Sequence, residues 1–319
     1  MLRTLSLLTA ILCASITTAL AQAYPDRPVR LVIGFAAGSG PDIQGRTVST
    51  ELGNSLGQQF YVENRLGANG TIAARSVATA KPDGYTLLYS SSSIISTPWI
   101  YKNLGYDTLT DLRPIATVGE LDGIFMLVDA KSPIKTLAEF IALAKKERVL
   151  YGSPGVGNGL HLTTEIFAKK AGIKLQHVPY KGASAAVSDL IAGHIPSVST
   201  TLTTAATQIR SGRARGLAVS AAARLPEFPD LPTYVEMGYP DLVATVWFSL
   251  SGPPGMPAEL VERLNAEVNR VLEAPDVRER LKPEGIVPSP MGAKEFTAFV
   301  AEELRRWRPV VRASGAKND

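Results

Sequence analysis

Val29 to Phe35 is a short, mainly apolar run that stops at a glycine-rich turn, the pattern of a strand in a buried parallel sheet. Ile43, Val48, Leu52 and Leu56 then fall broadly on one side of a helical projection, which predicts a helix from Ile43 to Leu56. Phe60 to Glu63 reads as a second strand and Gly70 to Ala80 as a second helix, stopped by Lys81-Pro82-Asp83-Gly84. Tyr85 to Ser90 makes a third strand. This alternation predicts an open α/β sheet with right-handed crossovers. The rhythm then restarts, with strands at Ile124 to Val128, Val149 to Gly152, His177 to Tyr180, Ile195 to Thr200 and Gly216 to Ser220. Helices are predicted among them at Leu137 to Lys146, Leu160 to Ala171 and Ala183 to Ala192. From Pro257 the pattern turns helical, over Ala258 to Leu272, Pro275 to Lys282 and Lys294 to Arg312. The expectation is two α/β lobes, residues 24–125 plus 236–319 in the first and 126–235 in the second, with hinges near 124–128 and 235–245.

The beginning of the chain does not belong to this rhythm. Arg3 precedes an uncharged, largely apolar stretch from Leu5 to Ile16, and Ala19-Leu20-Ala21 and Ala21-Gln22-Ala23 both fit the small-x-small rule. Residues 1–23 therefore read as a signal peptide cleaved after Ala21 or Ala23, which directs an exported, soluble protein to the periplasm. The apolar stretch is shorter than the ~20 residues a spanning helix needs, and Leu12 is the wrong neighbour for lipid attachment at Cys13. Cleavage removes Cys13, the single cysteine, so a disulfide framework and a cysteine zinc site are both excluded. The net charge of +4 falls to +3 without Arg3, too small and too dispersed for nucleic acid. A hydrophobic fraction of 45% against 19% charged residues describes a chain with a sizeable core.

Candidate chemistry concentrates in four loops at the carboxyl ends of predicted strands, the edge where open α/β sheets bind ligands. Phe35-Ala36-Ala37-Gly38-Ser39-Gly40-Pro41-Asp42 leads into a helix that Pro41 or Asp42 can open, so free N–H groups and the positive helix end would face a carboxylate or phosphate. The alternative is an ordinary turn with Asp42 as its cap. Gly152-Ser153-Pro154-Gly155-Val156-Gly157-Asn158-Gly159 lacks the dinucleotide glycine spacing and reads better as a second anion-binding nest. Gly182-Ala183 opens another helix, and Ser90 to Ser93 is a run of hydroxyls after the third strand. Enzyme signatures are scarce. His161, just inside a helix, is placed to donate to a ligand, whereas His177 and His194 read as structural. The three histidines lack metal-pair spacing, and no nucleophile elbow or phosphate-loop lysine is present. Asp83 reads as turn chemistry and Arg305, Arg306 and Arg308 as a solvated face. Asn69-Gly70-Thr71 matches a glycosylation acceptor, incidental beside a bacterial-looking leader.

Tyr24-Pro25-Asp26-Arg27-Pro28-Val29-Arg30, the loop ending at Asp42, and Val62-Glu63-Asn64-Arg65-Leu66-Gly67-Ala68-Asn69-Gly70 resemble the opening of the Bug-type solute-binding proteins of tripartite tricarboxylate transporters. The likeness continues through Pro82-Asp83-Gly84-Tyr85, Val178-Pro179-Tyr180-Lys181-Gly182, Asp189-Leu190-Ile191-Ala192-Gly193, Asp230-Leu231-Pro232-Thr233 and Gly252-Pro253-Pro254-Gly255-Met256-Pro257. It implies a two-lobed, type II-like periplasmic binding fold, each lobe a mixed, mainly parallel sheet flanked by helices, with a hinge and a central cleft. It further implies a monomer without cofactor or metal. The chain would capture a small organic anion, a di- or tricarboxylate or an aromatic carboxylate, and pass it to membrane permease subunits. A ligand sensor for a receptor and an exported carboxylate-processing enzyme are the alternatives. Carried over residue by residue, the resemblance assigns ligand binding to Ala37, Gly38, Ser39, Gly40 and Asp42, to Ser153, Gly157, Asn158 and His161, and to Gly182 and Ala183, with Ser91 and Ser92 lining the cleft. Two positions depart from the usual pattern: Ser39 stands within the first glycine motif, and Gly193-His194-Ile195 replaces a segment that commonly supplies an acidic residue.

Overall fold

The structure, a computed structural model, describes residues 24–316, so the expected leader and its cleavage positions lie outside the described residues. Two mixed sheets carry the fold. The first contains β1 (Val29–Ile33), β2 (Phe60–Asn64), β3 (Thr86–Ser91), β4 (Arg113–Asp122), β10 (Thr245–Gly252) and β11 (Ile286–Val287), in the order β11-β4-β10-β3-β1-β2. The second contains β5 (Ile124–Asp129), β6 (Val149–Ser153), β7 (Leu175–Pro179), β8 (Ser197–Thr201) and β9 (Ala214–Val219), in the order β7-β6-β8-β5-β9. Parallel pairing is confined to one side of each sheet, β1 with β2 and β3, and β6 with β7 and β8. The remaining pairs are antiparallel, so the sheets are mixed as expected but less parallel than the sequence rhythm implies.

The alternation of side chains along a strand distributes each sheet over two core layers. In the first sheet Val29, Leu31, Ile33, Leu87 and Tyr89 pack beneath α1 (Gly40–Leu56) and α8 (Ala258–Glu273), joined by Val277 and Leu281 of α9 (Pro275–Leu281). Val32, Leu88 and Trp247 face the opposite way, onto α2 (Thr71–Ala78), α3 (Ser93–Ile100) and α10 (Ala293–Ser314). In the second sheet Phe125, Leu127 and Val198 meet α6 (Ala183–Ile191) and α7 (Leu202–Arg210). Met126, Val128 and Val149 meet α4 (Leu137–Lys146) and α5 (Gly159–Ala171).

The chain leaves the first sheet at Gly123, whose φ is +79°, and returns at Ala244. Ser220 fastens the two crossings together. Its Oγ accepts the Ile124 N–H at 2.8 Å and donates to the Ala244 carbonyl at 3.0 Å. Its main chain bonds the same two residues. Ile124 and Phe125 already pair in the second sheet, and Tyr239 and Leu242 pack with its core, so each crossing sits a few residues from the expected boundary.

The elements absent from the sequence reading are α3, α7, β4, β10 and β11. For α3 the reason is composition: Ser93-Ile94-Ile95-Ser96-Thr97-Pro98-Trp99-Ile100 is β-branched and carries an internal proline. Pro98 has no N–H for the Ile94 carbonyl, and two threonine hydroxyls replace it, Thr97 Oγ1 at 3.3 Å and Thr108 Oγ1 at 3.2 Å. Burial of Ile94, Ile95 and Ile100 then holds the turn.

Candidate functional site

The first loop turns between β1 and α1. Gly38 takes φ +76°, and α1 starts at Gly40, three residues before the expected Ile43. Ser39 is its N-cap, yet the Ser39 side chain caps nothing; its Oγ donates back to the Ala36 carbonyl at 2.6 Å. The first intrahelical bond joins the Ile43 N–H to the Ser39 carbonyl, which leaves the Gly40 and Asp42 N–H groups without helical partners. Pro41 has none to offer. The α1 dipole therefore ends in free donors, the condition for holding an anion.

Asp42 lies beneath this loop, with 1% of its surface exposed. Its Oδ2 accepts the Gly38 N–H at 2.9 Å and Arg46 Nε at 2.9 Å, while Oδ1 accepts Asn64 Nδ2 at 2.7 Å. Asn64 Nδ2 also donates to the Phe35 carbonyl, and Arg46 Nη2 donates to Asn64 Oδ1. Burial alone would raise the Asp42 pKa; the bonds from Arg46, Asn64 and Gly38 outweigh it and hold the carboxyl below its ordinary range. The Asp42 carboxylate and the Gly38 N–H are thus spent bracing the loop. Ala37 is exposed at the tip.

The second loop, between β6 and α5, is internally bonded to a greater degree. Asn158 caps α5, accepting the His161 N–H at 2.9 Å and donating to the Gly155 carbonyl at 2.9 Å. Ser153 Oγ lies 3.2 Å from the Gly155 carbonyl and 2.7 Å from His177 Nε2. The Gly157 N–H donates to His161 Nδ1 at 3.0 Å, which assigns that imidazole's proton to Nε2. The His161 and His177 rings stack with centroids 4.0 Å apart, and His161 is 4% exposed. Desolvation pushes both imidazoles down, to about 3 for His161 and about 4 for His177, so both are neutral at pH 7. His161 braces the loop through Nδ1, its Nε2 lies 3.9 Å from Glu165 Oε1, and His177 is its stacking partner.

The hydroxyls after the third strand are divided between two elements, which the reading of a single loop did not anticipate. Ser90 and Ser91 end β3, Ser92 precedes α3, and Ser93 begins it. Ser91 Oγ bonds Ser93 Oγ at 2.7 Å, and the Ser92 N–H donates to the Trp247 carbonyl at 2.7 Å. The helix that follows joins the two halves: Ser96 Oγ donates to the Gly157 carbonyl, and Ile100 packs with Leu162 of α5 and Val311 of α10. Gly157 must be glycine there. Its φ is +78°, and an added Cβ would stand 1.9 Å from Ile100 Cδ1. In the second sheet α6 opens at Gly182, φ +138°, again without a side-chain cap, so Ala183 begins a second helix with free donors.

A cavity of about 10 Å³ lies between the ends of β1 and β3 and the turn at 68–70, lined by Gly34, Phe35, Asn69, Ser91, Ser93 and Tyr106 among others. Arg46, Asn64, Ser96, Asn69 and His177 are the contributors that sequence reasoning did not place. Asn64 and Asn69 lie inside the Val62 to Gly70 motif, but nothing in their spacing separates them from loop polarity. Among the described residues no cluster of three or more His, Cys, Asp or Glu side chains could hold a metal, and no helix is long and apolar enough to cross a membrane.

With this geometry in view, comparison with known proteins is specific. A family model described as "Tripartite tricarboxylate transporter family receptor" matches residues 45–316. BugT of Bordetella pertussis is 34% identical over 301 residues, covering 93% of this chain and 92% of its own. The periplasmic binding protein BugD superposes with a TM-score of 0.84 at 30% identity, covering 93% of this chain and 100% of BugD. Rpa4515 of R. palustris, solved with adipate, gives a TM-score of 0.85 at 31% identity, over 92% of this chain and 99% of its own. The two-sheet architecture and the full-length match agree: the chain belongs to the Bug-type receptors of the tripartite tricarboxylate transporter family.

Proposed function

We propose that this chain is a periplasmic receptor that captures a small organic anion by its carboxylate and presents it to a membrane transporter. The observation that carries the reading is the pair of uncapped helix starts, Gly40 of α1 and Ala183 of α6, one from each sheet and both following strands of the parallel half. In this arrangement the main-chain donors of Ala37, Gly40, Asp42 and Ala183 bind the carboxylate, directly or through waters that keep nearly the enthalpy of a direct bond. Ser39 and Ser92 line the approach. Gly38, Ser153, Gly157, Asn158 and His161 hold the two loops in shape. The adipate found with Rpa4515 supports a carboxylate as the ligand class. The crossings at Gly123 and Ala244 form the hinge, and a ligand touching both halves favours closure by its differential affinity for the closed state. Residues 1–23 serve as the leader, removed after Ala21 or Ala23.

The Ser153–His177 contact has the separation of a nucleophile and base. Ser153 is 0% exposed and also engages the Gly155 carbonyl, so the pair supports a loop and not an acyl transfer. The reading is tested by mass spectrometry of molecules co-purifying from the native host, followed by thermal shift with a panel of carboxylic acids. A saturable rise in melting temperature with an acid from that panel is expected. No saturable rise with any acid, together with no organic anion in the purified protein, would refute it.

A further inference from the structure

The cavity behind the first loop holds about 10 Å³, roughly the room that one water or one ligand oxygen occupies. Most of its polar lining is satisfied from within. Ser91 and Ser93 bond each other at 2.7 Å, and Ser90 Oγ lies 3.3 Å from Ser249 Oγ. Asn69 differs, because its side-chain Nδ2 is buried and has no hydrogen-bond partner.

The backbone holds this amide in place. Asn69 sits at φ +54°, ψ +39°, within a run from Gly67 to Gly70 in which every φ is positive. Asparagine is one of the few side chains enriched in that region. Gly70 is pressed against the base of the first loop, where a Cβ added at Gly34 would stand 2.7 Å from Gly70 Cα. A buried donor in a fixed position is costly while unpaired, so the cavity calls for an acceptor.

We propose that Asn69 is a ligand-contacting residue whose side-chain amide donates to an oxygen of the second acidic group of the captured anion. This assignment rests on the carboxylate-binding reading above. The chemical class follows from the lining. No Asp, Glu, Lys or Arg borders the cavity, so an oxygen that enters it is held by neutral amide and hydroxyl donors. Ser91 and Ser93 hydroxyls rotate, and one can turn its hydrogen toward an arriving oxygen. The remaining wall includes Ala74, Leu88 and Ile94, and the space admits a single oxygen. The site selects a dicarboxylate over a monocarboxylate of the same length.

Isothermal titration of wild type, Asn69→Gly and Asn69→Asp with succinate, glutarate, adipate and butyrate tests the assignment. Glycine and aspartate both tolerate the positive φ, so each variant keeps the turn, and the glycine variant alone suffices if the aspartate variant fails to fold. Wild type is expected to bind at least one of the dicarboxylates more tightly than butyrate. Asn69→Gly should weaken that dicarboxylate about 5–15-fold, the size of one lost hydrogen bond, and leave butyrate unchanged. Asn69→Asp should weaken it further, since like charges then meet. An unchanged dicarboxylate-to-butyrate ratio in both variants would show that the cavity holds only a water, and would overturn the assignment while leaving carboxylate binding intact. Equal wild-type affinity for butyrate and the dicarboxylates would also overturn it. Binding of none of the four acids would overturn this assignment of an aliphatic dicarboxylate and leave the carboxylate reading to the wider panel.

Discussion

Replacing Asp42 by asparagine separates two roles that the first loop assigns to one residue. The side chain accepts from Gly38, Arg46 and Asn64, while its own N–H faces the proposed ligand. Asparagine keeps the shape and the main-chain donor but turns one acceptor oxygen into an NH₂ that opposes its former partners. The Arg46 side chain is 47% exposed, so its ion pair counts for little. The two remaining bonds, to a charged acceptor, contribute roughly 1.5 kcal/mol each, about 3 kcal/mol together. For a chain of this size that corresponds to a fall in melting temperature of roughly 5 °C. Urea unfolding and calorimetric titration with a bound dicarboxylate measure both consequences. The expected result is a large loss of stability with no more than about a tenfold loss of affinity, because the Gly40 and Asp42 N–H groups survive. The pH dependence has a definite sign. The carboxyl is held below its ordinary range, so its contribution is present above about pH 4 and disappears as pH falls through the lowered value. The stability gap between wild type and variant should therefore narrow in acid. Unchanged stability with abolished binding would refute the bracing role and place the carboxylate itself on the ligand.

The buried imidazoles predict a second pH response: His161 and His177 stay neutral in the fold while the unfolded chain protonates below about pH 6.5. Stability should fall between pH 6.5 and pH 4, by at most about 1.4 kcal/mol per pH unit per histidine, and a His161→Gln, His177→Gln variant should show a flatter profile. A melting temperature independent of pH over that window in wild type would contradict the burial of neutral rings. At α3, Thr97→Val and Thr108→Val should each be mild, since the other hydroxyl still serves the Ile94 carbonyl. The double variant strands that carbonyl and should cost about 1–3 kcal/mol beyond the sum of the singles, measured by a denaturation cycle.

Elements governed by a local signal were readable in the chain. Leu137 to Lys146 is a helix between the residues expected, because Thr136 and Glu139 form a reciprocal capping box and the apolar face is regular. The glycine loops after β1 and β6 were likewise recognisable, since a left-handed turn leaves its mark in glycine. β10 was not. It lies between β3 and β4 in the middle of the first sheet, antiparallel to both, although more than 120 residues separate it from either. Its pairing is settled only when the chain returns from the second sheet.

The amino-acid order by itself determines the alternation of strands and helices, the turns that need glycine, and the presence of donor-rich helix starts, all properties of neighbouring residues. Tertiary structure alone decides which of those donors remain free. Gly38 and Gly157 have N–H groups like any others, yet one is taken by Asp42 and the other by His161. Asn69, an ordinary polar loop residue in the sequence, is a buried donor without a partner in the fold, beside the close approach of Gly34 to Gly70. The physical reason is that a hydrogen bond is spent on whichever partner packing brings within reach, and reach is a property of the folded chain.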